Sequence, residues 1–203
     1  MTFERWQQLM LNLGCNENKD VFYALLAAYS EKHRYYHNSH HIKACLRHLD
    51  NTAALACRPY EVELALWFHD VVYVPRKSNN ELKSAQWAAA FLGENKCPGE
   101  VLDRVYSLIM STLHNSPVHT EDEKLLMDID LSILGATDVE YDEFETAIRK
   151  EYQWVPCFFY KKKRKEILEG FLNRKQIYAT DYFFSLLEEQ ARSNVTRAIS
   201  HMQ

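Results

Sequence analysis

The sequence predicts an all-α fold, and two observations carry that prediction. Only five glycines and five prolines occur in 203 residues, so the chain has few of the residues that separate many short strands. Apolar residues recur at helical spacing, as Phe22, Leu25, Leu26 and Tyr29 do, and no persistent alternation of apolar and polar residues appears. Hydrophobic content of 47% and charged content of 26% are ordinary for a globular protein. We therefore expect one helical bundle domain over residues 1–203.

The first four helices are bounded by recognisable capping and breaking residues. Gly14 separates a helix over 2–13 from one over 18–32. Asn38 or Ser39 is expected to cap a third helix that runs to about residue 56. Pro59 suits the first turn or cap of a fourth, over about 60–71, and Pro75 ends that segment. Its apolar stripe ends at His69, which is therefore expected to point inward.

Six further helices are predicted from the same kinds of signal. Gly93, Pro98-Gly99 and Asn115-Ser116-Pro117 separate the first three of them. The six predicted helices cover 79–92, 99–113, 121–134, 138–154, 157–173 and 180–201. We expect a core of about 34–135, with the C-terminal helices, about 138–201, packed on it.

Composition also limits the partners and the location of the protein. The net charge of −4 leaves no overall basic footprint for nucleic acid, and the basic run Lys161–Lys165 is more typical of a solvated helix face than of a substrate guide. No segment reaches the roughly 18 apolar residues of a membrane span, and the N-terminus does not resemble a signal peptide.

The cysteines are odd in number and lack a CxxC pair, so we expect reduced thiols: Cys15, Cys45, Cys57, Cys97 and Cys157. These observations favour a cytoplasmic protein without a membrane partner, and they leave a homo-oligomer open.

Histidine and aspartate recur at the edges of the apolar segments. His37 and His41 are four residues apart, so both can face one cavity, but capping or surface histidines explain them equally well. His69 closes an apolar stripe, where it could bind a metal ion or a backbone carbonyl group. Asp128 and Asp130 lie in an apolar run and need either a cation or an Arg or Lys partner. Together these residues suit a divalent metal ion with open water positions.

The order of these motifs resembles the HD-domain superfamily of metal-dependent phosphohydrolases, and in particular its bacterial branch of predicted HD phosphohydrolases. The resemblance extends along most of the chain. The matching segments are Arg34-Tyr35-Tyr36-His37-Asn38, His41-Ile42, Trp67-Phe68-His69-Asp70-Val71-Val72-Tyr73, Asn80-Glu81-Leu82-Lys83-Ser84-Ala85, Asp128-Ile129-Asp130-Leu131-Ser132-Ile133-Leu134-Gly135, Ile148-Arg149-Lys150-Glu151-Tyr152 and Glu189-Gln190-Ala191-Arg192-Ser193-Asn194. Tyr36-His37-Asn38-Ser39-His40-His41 is also similar to the YHNxxH phrase of cyclic-nucleotide phosphodiesterases.

The resemblance implies a role for each site residue. The implied metal ligands are His41, His69, Asp70 and Asp130. His37 would be the acid that protonates the leaving group, and Asp70 would also orient or deprotonate the attacking water. His114, Glu81 and Arg149 would contact substrate or its water, although Arg149 is equally suited to a structural ion pair. Asp128 would support the ligands without binding the metal ion itself.

The function implied by the resemblance is hydrolysis of a small phosphate ester, and the substrate expected first is a nucleotide. The expected cofactor is a divalent ion, with Mn, Fe, Ni, Co, Zn and Mg all open. An alternative is a metal-binding regulatory or ligand-sensing module with little turnover. A metal oxygenase with paired iron ranks last, because His114 is the one obvious spare ligand.

Overall fold

The computed structural model describes residues 1–95, 97–113 and 118–202, and within these ranges it contains helices and no strands. Ten α-helices follow one another along the chain, and two short 3-10 helices lie among them at Ala53–Leu55 and Leu131–Gly135. The α-helices are α1 Phe3–Leu13, α2 Lys19–Ala28, α3 Ser39–Thr52, α4 Pro59–Phe68, α5 Asn80–Glu94, α6 Gly99–Ser111, α7 Glu121–Asp130, α8 Asp138–Glu151, α9 Cys157–Leu172 and α10 Asp181–Ser200. The predicted all-α class is therefore confirmed, and each predicted helix is present.

The chain forms two compact units, Met1–Met127 and a second that begins at Asp128. The first unit is built around α4, which contacts α1, α3, α5 and α6. The C-terminal half of this helix is apolar on every side, and Leu64, Leu66, Trp67 and Phe68 are all fully buried. A helix that is hydrophobic all round must be enclosed by its neighbours. The C-terminal end of α4 therefore lies inside the core of this unit.

Local capping accounts for the start of α3 and of α4. The side chain of Asn38 accepts a hydrogen bond from the backbone N–H of His40, and this confirms the predicted cap. Pro59 occupies the first turn of α4, as predicted, where its missing N–H costs nothing. The helix predicted over about 60–71 ends earlier, at Phe68, so His69 caps its C-terminus and Asp70 follows in a turn.

The second unit is organised by α10, which contacts α9 and the 3-10 helix Leu131–Gly135. Gly135 permits close packing, because a Cβ atom there would lie 2.6 Å from the Cβ of Leu187. The fully buried Asn194 donates to the carbonyl oxygens of Leu134 and Ala136, at 2.9 and 2.8 Å. Through these two hydrogen bonds, Asn194 fixes the 3-10 segment against α10.

The cysteines depart from the sequence prediction. Cys15 and Cys97 form a disulfide bond across 82 residues of sequence, whereas Cys45, Cys57 and Cys157 are free. The expectation of five reduced thiols was therefore wrong for two of them. Each partner lies just beyond a helix end, Cys15 after α1 and Cys97 after α5, and the fold brings these two ends together. The bond also removes one of the observations that favoured a cytoplasmic location.

No helix within the described ranges is long and apolar enough to cross a membrane.

Candidate metal centre

His69 occupies the buried end of α4 with only 1% of its surface exposed. Its Nδ1 atom lies 3.0 Å from the carbonyl oxygen of Leu66, one turn earlier. A carbonyl oxygen can only accept, so Nδ1 carries the proton and donates. In the neutral ring the Nε2 lone pair is then available to a metal ion. The sequence left a carbonyl contact and metal binding as alternatives for His69, and the geometry permits both through different ring nitrogens.

His41 projects from the first turn of α3 toward the same point. It is 6% exposed, and its Nε2 atom lies 3.1 Å from Nε2 of His69. The thiol of Cys45, one turn later on α3, lies 3.7 Å from Nδ1 of His41. Thr52 and Leu49 belong to the buried face of the same helix. The sequence left a cavity-facing and a surface position open for His41, and the structure shows a buried one.

Asp70 contributes a carboxylate oxygen to the two imidazoles. Its Oδ2 atom lies 3.1 Å from Nε2 of His69 and 3.5 Å from Nε2 of His41. Ligand atoms about 2.0–2.1 Å from one ion, at angles between right and tetrahedral, lie about 2.9–3.4 Å from each other. The three measured separations are close to that range. Two neutral imidazoles and a carboxylate are also a donor set that borderline divalent ions accept, so these residues fit the implied metal ion.

Asp130 is the last residue of α7. One ligand atom from each of His41, His69 and Asp130 lies within 4.8 Å of the other two, so this group could hold a metal ion. His41 and His69 are common to this group and to the contacts of Asp70. The role of Asp130 as a metal ligand stays a prediction.

The surroundings of Asp70 keep its carboxyl group ionised. Burial by itself would raise the pKa of this group. When protonated, the nearby imidazoles outweigh burial and hold the pKa of Asp70 well below its ordinary value; in order of strength they are those of His69, His37 and His41. An ionised carboxylate is what metal binding and proton acceptance both require.

His37 lies beside the cluster without joining its closest contacts. The centroid of its ring is 6.1 Å from that of His41 and 4.1 Å from that of Tyr73, on which it stacks at 25°. The charge of His37 lowers the pKa of Asp70, so the imidazole is near enough to act electrostatically on the site. This position is compatible with the predicted role of a proton donor that is not itself a ligand.

Arg34 is the main site residue that we did not single out from the sequence. Its side chain is 1% exposed, and its Nη1 atom donates to the carbonyl oxygens of Asp70 and His37, at 2.6 and 3.1 Å. Nη2 donates to the carbonyl oxygen of Val71 at 2.8 Å. One guanidinium group therefore joins the segment that precedes α3 to the turn that follows α4. Its only signal in the sequence is its place at the start of the phrase that contains His37.

Helix α5 fastens the other side of the turn after Asp70. The hydroxyl of Ser84 accepts from the backbone N–H of Val72 at 3.1 Å, and the Asn80 side chain bonds both the N–H and the carbonyl of Val74, at 3.1 and 3.2 Å. Glu81, predicted to hold a water, is in the first turn of this helix and is half-buried. Its role stays a prediction, although its helix is attached to the site turn.

Two other predicted site residues have structural partners within the second unit. Asp128 accepts from the N–H groups of Ala179 and Thr180 and from the Thr180 hydroxyl, at 2.6–2.8 Å. Arg149 donates to the carbonyl oxygens of Tyr152 and Val155, at 2.6 and 3.0 Å. Asp128 thus holds the segment that enters α10, and Arg149 closes the turn after α8. The substrate role of Arg149 and the supporting role of Asp128 stay predictions, and His114 lies outside the described residues.

Comparison of the chain with protein-family models, with characterised proteins and with solved structures found no match.

Proposed function

We propose that the protein is a metal-dependent phosphohydrolase of the HD-domain type that cleaves a small phosphate ester. The observation that carries this proposal is the approach of Nε2 of His41, Nε2 of His69 and Oδ2 of Asp70 to within 3.1–3.5 Å of one another. Buried imidazoles are rarely placed nitrogen to nitrogen unless a proton or a cation lies between them. Oδ2 of Asp70 beside both nitrogens favours a cation.

His41, His69, Asp70 and Asp130 would hold the ion. When bound, a divalent ion supplies Lewis-acid polarisation of a phosphoryl group and a lower pKa for water. The donor set does not select among Mn, Fe, Ni, Co, Zn and Mg. The set lacks the cysteine pair that is typical of closed structural zinc sites. Cys45 is the cysteine near the site, and its Sγ atom contacts the ring of His41.

The two remaining catalytic tasks fall to side chains with suitable surroundings. Asp70 stays ionised because its pKa is held low, so its carboxylate can orient a water and accept a proton from it. The His37 ring is half-buried and is held flat on Tyr73. A protonated imidazole in that position can donate to the oxygen of a leaving group.

A nucleotide is the substrate class we propose first. Tyr35, directly before Tyr36 and His37, is 43% exposed and offers a ring on which a base could stack. Trp67, which the sequence also placed beside the site, is fully buried in the core and is not available for that role. His114, Glu81 and Arg149 remain the proposed contacts to substrate or its bound water.

The test combines metal analysis with a phosphate-release screen. Protein purified without chelator is assayed for bound divalent metal and then for release of phosphate from nucleotides and sugar phosphates. We expect a metal-dependent activity that is lost in Asp70→Ala, with helical circular dichroism preserved. His40→Ala is the matched control, because His40 neighbours His41 in sequence but is exposed.

Each outcome decides between functions. Unchanged hydrolysis in Asp70→Ala would refute the proposed chemistry. Bound metal without hydrolysis of any phosphate ester would favour the regulatory metal-binding module instead. Absence of both bound and activating metal would exclude both functions.

A further inference from the structure

Three aromatic side chains project into solvent where α8 turns into α9. Trp154 is 47% exposed, Phe158 is 73% exposed and Phe159 is 63% exposed. Phe158 and Phe159 lie in the first turn of α9, and their rings contact edge to face at 5.6 Å. We call these three residues the aromatic corner. Aromatic side chains clustered on a surface usually mark a contact with a partner.

The face of α9 that carries the two phenylalanines points away from the rest of its unit. Leu168 and Phe171 are buried on the opposite side of the helix. Lys162 follows Phe158 by four residues and Phe159 by three, so helical geometry places it on the same exposed face. The corner therefore combines exposed rings with an adjacent ammonium group.

The remaining charges of α9 are distributed unevenly along the helix. Lys163 pairs with Glu166 at 3.1 Å, Lys165 with Glu169 at 3.8 Å and Arg164 with Glu145 at 2.6 Å. The acidic residues Glu166 and Glu169 thus lie toward the C-terminal half of α9, where they form ion pairs with Lys163 and Lys165. Lys161 and Lys162 lie nearer the rings, and the N-terminus of a helix adds partial positive charge.

We propose that the aromatic corner docks on the surface of a bilayer that contains anionic phospholipids. The rings of Trp154, Phe158 and Phe159 enter the headgroup region, and Lys161 and Lys162 contact lipid phosphate or carboxylate groups. The sequence led us to expect no membrane partner, because no segment is long enough to span one. Docking on a surface needs no span, and this proposal does not depend on the proposed hydrolase activity.

Charge complementarity favours this occupant over a second copy of the chain. A symmetric contact through the corner would bring two Lys161–Lys165 runs together, and like charges at an interface oppose binding. Nucleic acid is favoured less, because Lys163 and Lys165 are paired with glutamates and the corner therefore lacks the broad basic patch that nucleic acid requires. Both alternatives are separate outcomes of the experiment.

The test is co-sedimentation of the full chain with vesicles of phosphatidylcholine alone or mixed with phosphatidylserine. We expect binding to the mixed vesicles that weakens as salt is added. Lys162→Gln should weaken it about fivefold, the effect of roughly one lysine near an anionic surface. The double variant Phe158→Ser, Phe159→Ser should weaken it by at least about tenfold for each ring.

The matched control is Leu186→Ser. Leu186 is an exposed apolar side chain, 58% exposed, near the start of α10. Lys161, beside the corner, approaches the carbonyl oxygen of His201 at the opposite end of that helix. Leu186 is therefore remote from the corner. The control should bind vesicles like the parent protein. Because the changed side chains are exposed, circular dichroism and thermal unfolding should be the same for all variants.

Tryptophan fluorescence gives an independent readout of insertion. Trp6 and Trp67 are fully buried and Trp87 is half-buried, so the part of the quenching by lipids with brominated acyl chains that depends on Trp154 reports insertion of the corner. Quenching that disappears in Trp154→Phe would support the orientation.

The proposal is overturned by absence of binding to mixed vesicles at low salt, by equal binding without phosphatidylserine, or by full binding of the double phenylalanine variant. Self-association or oligonucleotide binding that is lost in that variant, without vesicle binding, would assign the corner to a different partner.

Discussion

The Nη1 atom of Arg34 lies 2.6 Å from the carbonyl oxygen of Asp70, and this contact ties the two halves of the candidate metal centre together. The same nitrogen also reaches the carbonyl oxygen of His37 at 3.1 Å. Tyr29 and Tyr73 lie beside the guanidinium group, with ring centroids 5.3 and 5.6 Å from its carbon. The position of Asp70 relative to His37 is therefore set by an arginine that need not touch substrate.

Replacement of Arg34 by methionine should destabilise the protein and disturb the site. The carbonyl oxygens of Asp70 and Val71 would lose buried donors, at a cost of about 3 kcal/mol in the free energy of unfolding. Arg34→Lys should recover only part of this, since one ammonium group cannot reproduce the planar fork. Urea unfolding and metal titration measure the two effects. Arg47→Lys, an exposed change on α3, is the control. Unaltered stability in Arg34→Met would show that the observed bonds contribute little.

His37 and His41 should respond differently to removal. His37→Ala should retain bound metal and slow phosphate release by about 10²–10⁴-fold, because it removes only a proton donor. His41→Ala should lower metal affinity by more than about 100-fold, because even changes in residues behind metal ligands cost 10–100-fold. Metal content after dialysis and turnover with saturating metal separate the two effects. Metal loss in His37→Ala with retention in His41→Ala would reverse the assignments.

The disulfide between Cys15 and Cys97 should add substantially to stability under oxidising conditions. It closes a loop with a sequence separation of 82, and the chain-entropy relation assigns such a bond about 4 kcal/mol. The double variant Cys15→Ser, Cys97→Ser should unfold at lower urea concentration than the oxidised protein and close to the reduced one. Titration of thiols in denaturant should find three before reduction, Cys45, Cys57 and Cys157. Five thiols in protein purified under air would contradict the bond.

The dependence of stability on pH should contain a contribution from His48. Burial, and then the charge of Arg47, lower the pKa of this imidazole in the folded protein. The unfolded chain, in which histidine titrates near about 6.5, then binds the proton more tightly. This contribution to stability is therefore complete above about pH 6.5 and is lost as the pH falls through the folded pKa.

Unfolding free energies at about pH 7.5 and about pH 5.5 test this expectation, since these values lie on either side of the unfolded pKa. The parent protein should lose more stability over that interval than His48→Gln does. His201→Gln, at an exposed histidine, is the matched control and should behave like the parent. Equal losses in the parent and His48→Gln would contradict the expectation.

Helix positions were predictable because they depend on local chemistry. The cap at Asn38, the proline in the first turn of α4 and the apolar spacing in α2 act over a few residues, and each is present. Helix ends were less predictable: the helices predicted to end at 32, about 56 and 134 end at Ala28, Thr52 and Asp130, and α4, predicted to end near residue 71, ends at Phe68. Consecutive side chains of a regular helix point in different directions. His69 and Asp70 can face one site because the helix ends at Phe68 and a turn follows.

The amino-acid sequence by itself determined the all-α class and the capping of α3 and α4, because these follow from spacing and residue chemistry, whereas the candidate ligands were implied by a family resemblance. Only the tertiary structure decided that His41 and His69 meet nitrogen to nitrogen, that Arg34 joins their two segments and that Cys15 reaches Cys97. Those contacts join residues 28 to 82 positions apart. Such pairs depend on how α1, α3 and α5 pack around α4, which no local pattern in the sequence specifies.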